Sequence, residues 1–395
     1  MISTNGMVVV IGYQLYDVAR GEYGMSIARA AFALGVLGLV QFLPLFVLTP
    51  VAGVVADRFD RRRVATMAMM IDMVVALGMA LITTFQIHNL GAIYAFAALH
   101  GAARVFVRPA MAAIAPNVVP VKVMPRAIAM GSMAMQIGTM IGPATYGFLF
   151  ATHPSLPYWA TVAILVGGSV ATMAIRQMPP PPEEARRTHP VRQIVDGFVF
   201  VWKERFLLGC ITLDLFAVLL GGATALLPIY ARDILHVGAE GLGPMRSAPA
   251  IGAAIVAILF SVRPLAKNVG IKMLVAVAVY GAATVAFGLS WNYWLSLVCL
   301  AGVGAADMYS VFIRTTLTQL KTPDEMRGRV SAISGVAISA SNELGEMQSG
   351  LAASLLGPVG AVVFGGVGAI VVTGIWAWGF PELRRARSFS QSDDA

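Results

Sequence analysis

Asp57-Arg58-Phe59-Asp60-Arg61-Arg62-Arg63 separates an apolar run over 31–56 from a second over 64–87. Six of the seven residues are charged, and each flanking run is long enough to cross a bilayer. A soluble core has no place for two such runs without a polar face. A membrane protein needs the arrangement, because a tight charged loop holds two helices to one side of the bilayer.

The whole chain agrees with that reading. Its 395 residues are 58% hydrophobic and 12% charged, against about a quarter charged in an ordinary soluble domain. Mean hydropathy is +0.77. The net charge of +8 does not point to nucleic acid, because the basic residues lie in short loops and form no soluble basic face. Cys210 and Cys299 both fall in apolar segments and read as small buried hydrophobes, with no metal spacing or disulfide framework. No cleavable signal peptide is visible.

Working outward from the charged loop, further spans fall at 90–114, 127–151, 156–177, 206–231, 241–262, 270–290, 292–318, 329–356 and 359–380. Residues 1–19 make a twelfth, but Ser3-Thr4-Asn5 shortens it. The expectation is therefore a first helix that is incomplete, with the native start upstream. Lysine and arginine placement sets orientation. With the 57–63 loop cytoplasmic, 22 of them fall on that side and four (Arg20, Arg29, Arg232, Arg246) on the other. Both termini are then cytoplasmic.

The longest polar interruption, Pro179 to Arg205, opens with four prolines. It ends in a stretch where Val191, Ile194, Val195, Phe198, Val199 and Trp202 recur at helical spacing, as in an amphipathic helix on the membrane surface. It divides the chain into a bundle at 1–178, a linker at 179–205, a bundle at 206–380 and a tail at 381–395. The halves also repeat: Arg108 precedes Pro120 and Arg126, and Arg314 precedes Pro323 and Arg329, with six residues from Pro to Arg in both. Repeats of this kind mark two-bundle secondary transporters.

Gly53-Val-Val-Ala-Asp57-Arg58-Phe-Asp60-Arg61-Arg62 resembles the loop 2–3 signature of the major facilitator superfamily, with Asp60 where a second glycine is usual. The branch it resembles comprises the enterobactin (siderophore) exporters and related drug effluxers. Ala306-Asp307-Met308, the segment 322–332, Ala340-Ser-Asn342-Glu343-Leu-Gly-Glu346 and Phe380-Pro-Glu-Leu383 extend the likeness over nearly the whole chain. The resemblance implies an all-α membrane protein of twelve transmembrane helices in two six-helix bundles, in the inner membrane. It implies a monomer that exchanges a small-molecule substrate for protons amid membrane lipid, with no cofactor, metal or nucleic-acid partner. Siderophore export is the reading, macrolide-type multidrug efflux the alternative, and a non-transporting receptor on the same fold the alternative of another class. An enzyme is disfavoured, since no nucleophile–base set or metal cluster is apparent.

The candidate residues follow. Gly53, Asp57, Arg58, Asp60, Arg61 and Arg62 form the gate motif. A carboxylate at Asp57 opposes its own helix dipole, and the resemblance pairs it with the helix beginning near Arg327–Val330. Gly138, Gly142, Pro143 and Gly147 are similar to the fifth-helix motif of antiporters. There small residues permit close helix approach and Pro143 favours a kink. Ionisable residues inside helices are expensive in lipid and need a cavity or partner. His100, Arg104 and Arg108 share one helix face. Asp307 and Arg314 are seven residues and about 10 Å apart along one helix, too far to pair. Glu343 and Glu346, with Asn342 beside them, lie one turn apart, so one of them is the favoured proton carrier. Asp72 and Asp214 are lesser candidates, and Arg246 suits an anionic substrate or the outer closure. His100 reads as a hydrogen-bonded structural residue. Thr322-Pro323-Asp324-Glu325 predicts a short surface helix. Trp291, Tyr293 and Trp294 predict an interfacial belt.

Overall fold

The structure is a computed structural model that describes residues 2–118, 124–175, 190–262, 267–323, 326–386 and 388. Within its helices the side chains of Gly53, Asp57, Arg58 and Arg108, among others, lie outside what is described. Every regular element among the described residues is helical. Among the described residues, nine stretches are long and apolar enough to cross a membrane.

In chain order the helices are α1 (Ile2–Gly21), α2 (Ile27–Arg58), α3 (Arg61–Thr84), α4 (Leu90–Val118), α5 (Met124–Thr152) and α6 (Leu156–Ala174). The amphipathic α7 (Pro190–Lys203) follows, then α8 (Arg205–Leu220), α9 (Gly238–Val262), α10 (Val269–Gly288), α11 (Tyr293–Lys321), α12 (Arg327–Gly379) and the short α13 (Pro381–Arg385). α12 is two helices joined at Gly357, whose φ of 75° no β-carbon favours and which precedes Pro358. That break agrees with the two spans read at 329–356 and 359–380.

The structure bears on four local readings. The 57–63 loop shrinks to Phe59-Asp60, because α2 runs through Arg58 and α3 starts at Arg61. Asp60 caps α3 by accepting from the Arg62 backbone N–H at 3.0 Å. The span at 206–231 is not one helix. α8 stops at Leu220, and short 3₁₀ and π turns carry the chain through Ile234. The cause is Gly221-Gly222, where a β-carbon on Gly222 would come within 2.8 Å of the Gly345 carbonyl and Ser349. The Thr322 hydroxyl donates to the Thr318 carbonyl at 2.6 Å and closes α11, and the Pro323 carbonyl accepts from the Met326 N–H at 2.9 Å and the Arg327 N–H at 3.1 Å. Asp324 and Glu325 lie outside the described residues. Finally, Ser3-Thr4-Asn5 is helical, and Asn5 donates to Thr139 on α5 at 3.2 Å. The polar opening of α1 is thus a packing surface.

The chain forms two compact units. Unit 1 holds residues 1–26, α2 from Val36, α3 to α6, and the first turns of α9 to Ser247. Its helices close on small residues: a β-carbon on Gly6 would strike the Tyr146 ring, and one on Gly101 the Gln41 carbonyl. Tyr158 is fully buried and donates to Gln14 at 2.5 Å, and Gln14 donates to Thr83 at 2.8 Å. These bonds tie α6, α1 and α3 where no water could satisfy them. Unit 2 holds Ile27–Gly35, α7, α8, α9 from Ala248, and α10 to α13. Its core packs Leu207, Cys210, Leu213, Met273, Ile313 and Leu317 together. Trp291 and Trp294 are 73% and 72% exposed at the α10–α11 connection, as a belt requires.

Candidate functional site

The inward charges of unit 2 gather on two helices, with a tyrosine from a third beside them. The Arg314 guanidinium on α11 pairs with the Asp214 carboxylate on α8, and both side chains are about nine-tenths buried. The partner on another helix expected for Arg314 is therefore Asp214, ranked low from sequence. Asp307, on the same helix as Arg314, is near enough to feel the charges of both. Tyr280 on α10 feels Asp307 and Asp214, and its hydroxyl donates to the Gly221 carbonyl at 3.0 Å. That carbonyl is accessible because α8 ends there. The helix break and the charge cluster are thus one construction, with a backbone oxygen, a phenol, two carboxylates and one guanidinium. A cavity of about 190 Å³ opens beside it, lined by Asp214, Arg314, Thr318, Gln319 and Ser334.

Charge counting distinguishes the two carboxylates. Asp214 is neutralised by Arg314. Asp307 has no hydrogen bond or ion pair of its own among the described residues. A second carboxylate beside an already satisfied pair must find a proton or a ligand cation.

Unit 1 carries a different pair. His100 Nδ1 on α4 donates to Asp72 on α3 at 2.5 Å. Both are buried, His100 fully and Asp72 to 4% exposure. The sequence reading put His100 among structural residues and Asp72 among minor candidates. It missed that they meet. The available signal was one acidic and one imidazole group on adjacent apolar helices, each needing a partner.

The remaining candidates are spread along the fold. Arg104 and Arg246 are half-buried and each already has a partner. Glu343 and Glu346 are half-buried on α12, each with an interaction, while Asn342 is exposed. In the gate motif, Arg62 is the anchored member: it bonds Asp60 at 2.8 Å and the Ile175 carbonyl at 2.6 Å. Those bonds from Arg62 hold the Asp60 carboxyl below its usual range. Arg61 is half-buried with a partner, whereas Gly53, Asp57, Arg58 and Arg108 have no described side chains.

The antiporter-like motif occupies contacts within unit 1. α5 is helical through Pro143. A β-carbon on Gly142 would lie 2.8 Å from the Ile2 carbonyl, and one on Gly147 would lie 2.8 Å from Gly243 of α9. Gly138 is buried on the same helix. In unit 2 the matching close approach is Gly35 of α2 on Gly350 of α12.

Comparison with known proteins gives the family. The family model of the Major Facilitator Superfamily matches residues 2–346. The enterobactin exporter EntS of Citrobacter koseri is 26% identical over 91% of this chain and 81% of its own length. The Escherichia coli O1:K1 enterobactin exporter EntS is 27% identical over the same shares. Among solved structures, a D-xylose-proton symporter superposes with a TM-score of 0.71 at 12% identity, covering 96% of both chains. A peptide transporter POT gives 0.73 at 12% identity, over 98% of this chain and 94% of the other. These folds belong to transporters, which are not enzymes, and they move small molecules across membranes. The chain is a multi-pass membrane transporter belonging to the Major Facilitator Superfamily.

Proposed function

We propose that this transporter exports a small organic molecule of the siderophore class from the cytoplasm in exchange for protons, by alternating access. The coupling half of the reading rests on the odd carboxylate of unit 2. Asp307 stands beside a satisfied Asp214–Arg314 pair, so its stable forms are a protonated acid or a carboxylate facing a ligand cation. A group with those two states can exchange a proton against substrate. The membrane potential adds about 2.3 kcal/mol per charge per 100 mV, a useful drive for one proton per cycle. The cargo and direction follow the similarity to the enterobactin exporters, and the Gly142-Pro143 helix agrees with them. Export across the bacterial inner membrane, with both termini cytoplasmic, follows from the same similarity and from the 22-to-four lysine and arginine bias. The bundles at 1–178 and 206–380 act as the two moving bodies of a monomer, joined by 179–205. Asp57 latches their cytoplasmic ends.

Inverted vesicles carrying the full chain and a preset pH gradient test this. Added enterobactin collapses the gradient with the wild-type chain and leaves it intact with Asp307→Asn. A wild-type chain that binds enterobactin without moving protons overturns coupling and favours the receptor reading. Asp57→Asn expresses normally and loses transport; full transport in that variant removes the latch.

A further inference from the structure

We propose that the Asp72–His100 pair of unit 1 is a proton-binding site, with His100 Nε2 as the atom that takes the proton. The ring is fully buried, its Nδ1 is committed to Asp72 at 2.5 Å, and its Nε2 has no hydrogen-bond partner. An ionised carboxylate only accepts, so Nδ1 carries the hydrogen of that bond, and in the neutral ring Nε2 presents a lone pair. The pair then holds one net negative charge inside an apolar bundle, which is costly. A proton arriving at Nε2 makes the imidazolium and brings the pair to zero net charge. No bond other than N–H forms, and the proton comes from water on one side of the membrane. Asp72 lies near the middle of α3, so the site is deep in the span.

Among the described residues no lysine or arginine is bonded to the pair. α5 brings Tyr146, whose hydroxyl is shared with Thr161 of α6 and which feels the Asp72 charge. α6 also brings Tyr158, bonded to Gln14 of α1. The charged residues of α1, Asp17 and Arg20, are in its final two turns and interact elsewhere. α2 meets α4 through the Gln41 backbone at Gly101, and residues 36–51 carry no charge. On α4 itself Arg104 is one turn further along and is engaged in another interaction. Two more buried hydroxyls without partners, Thr66 on α3 and Ser169 on α6, sit in the stretches leading toward Arg62 and Ile175.

The internal repeat carries the same assignment from another direction. The spacing that places Arg108 on Arg314 places His100 on Ala306, beside Asp307. Equivalent helices of the two halves thus bear a proton-competent group at nearly the same position.

The test reads the nitrogen itself. The purified full chain in detergent, with ¹⁵N-labelled histidines, is followed by NMR from about pH 5 to 8, the range in which imidazole changes charge. The His100 signal is assigned by its loss in His100→Gln or, should that variant fold poorly, by replacing His88, His153, His189 and His236. Nε2 is expected to pass from lone pair to N–H in that range, and Asp72→Asn is expected to leave it unprotonated throughout. A His100 ring that stays in one state across the range overturns the site. A coupling arm rests on the proton-exchange reading above. In inverted vesicles His100→Gln should retain enterobactin binding and lose at least about tenfold in protons moved per substrate. A variant with the wild-type proton ratio and pH profile overturns the coupling role. If the wild-type chain moves no protons while Nε2 still titrates, the exchange reading falls and the proton site stands.

Discussion

Two buried carboxylates, Asp72 in unit 1 and Asp214 in unit 2, solve the same problem with different partners. Asp214 is held by a guanidinium, which keeps its proton at any working pH. Its pair brings a carboxylate against a guanidinium with both side chains about nine-tenths buried. Asp72 is held by the His100 imidazole, whose second ring nitrogen has no hydrogen-bond partner among the described residues. In unit 2 the proposed proton carrier is the neighbouring Asp307; in unit 1 the proposal keeps it within the pair. A fold can repeat its helices without repeating its chemistry.

The largest expected effect breaks the comparison on stability. Asp214→Ala strands a buried arginine and should cost about 3–5 kcal/mol in thermal unfolding of the detergent-solubilised protein. Adding Arg314→Met should recover most of that loss. Asp72→Ala should cost clearly less, because an imidazole left alone can be neutral and a guanidinium cannot. Equal losses at the two sites would erase the distinction between a locked and a titratable pair.

A second contrast concerns packing in the two units. Gly147→Val in unit 1 and Gly35→Val in unit 2 each push a side chain into backbone within about 3 Å, and overpacking of this kind costs about 1–3 kcal/mol. Gly131→Ala on α5, with nothing within 4 Å of its β-carbon, should be neutral or gain up to about 1 kcal/mol of helix propensity. Melting temperatures of the three variants separate close contact from a general intolerance of substitution.

The smallest effect is at the turn between α2 and α3. Asp60→Ala removes the α3 cap, a loss of about 1 kcal/mol. Because Arg62 lowers the Asp60 carboxyl in the folded chain, its contribution is fully present above the unfolded carboxylate value of about 3.9. It fades as pH falls through the lower folded value. Wild type and Asp60→Ala should therefore converge in melting temperature at low pH and differ at neutrality. A gap that persists in acid removes Arg62 as the cause.

Much of the fold was legible because lipid imposes a simple rule on sequence. Each span must be apolar for about 20 residues and must satisfy its backbone internally. That rule located the helices, the surface helix α7 and the break before Pro358. It failed at 206–231, where hydropathy continues across Gly221-Gly222 while the backbone does not. The glycine pair was visible, but its meaning depends on Gly345, Ser349 and Tyr280, which are more than fifty residues away. The candidate charges were all visible too. Their pairing was not, since periodicity places Arg314 on a face of α11 and says nothing of Asp214 across from it.

By itself the sequence determined the membrane class, most of the spans, the superfamily signature and the set of residues too polar for lipid. These are properties of local composition, and solvent transfer energies act on each segment separately. Tertiary structure alone decided which of those residues meet. It joined Asp72 to His100 and Asp214 to Arg314, and left Asp307 and one imidazole nitrogen without such a bond. The cost of a buried charge depends on what stands within a few ångströms, and that distance is set by helix packing.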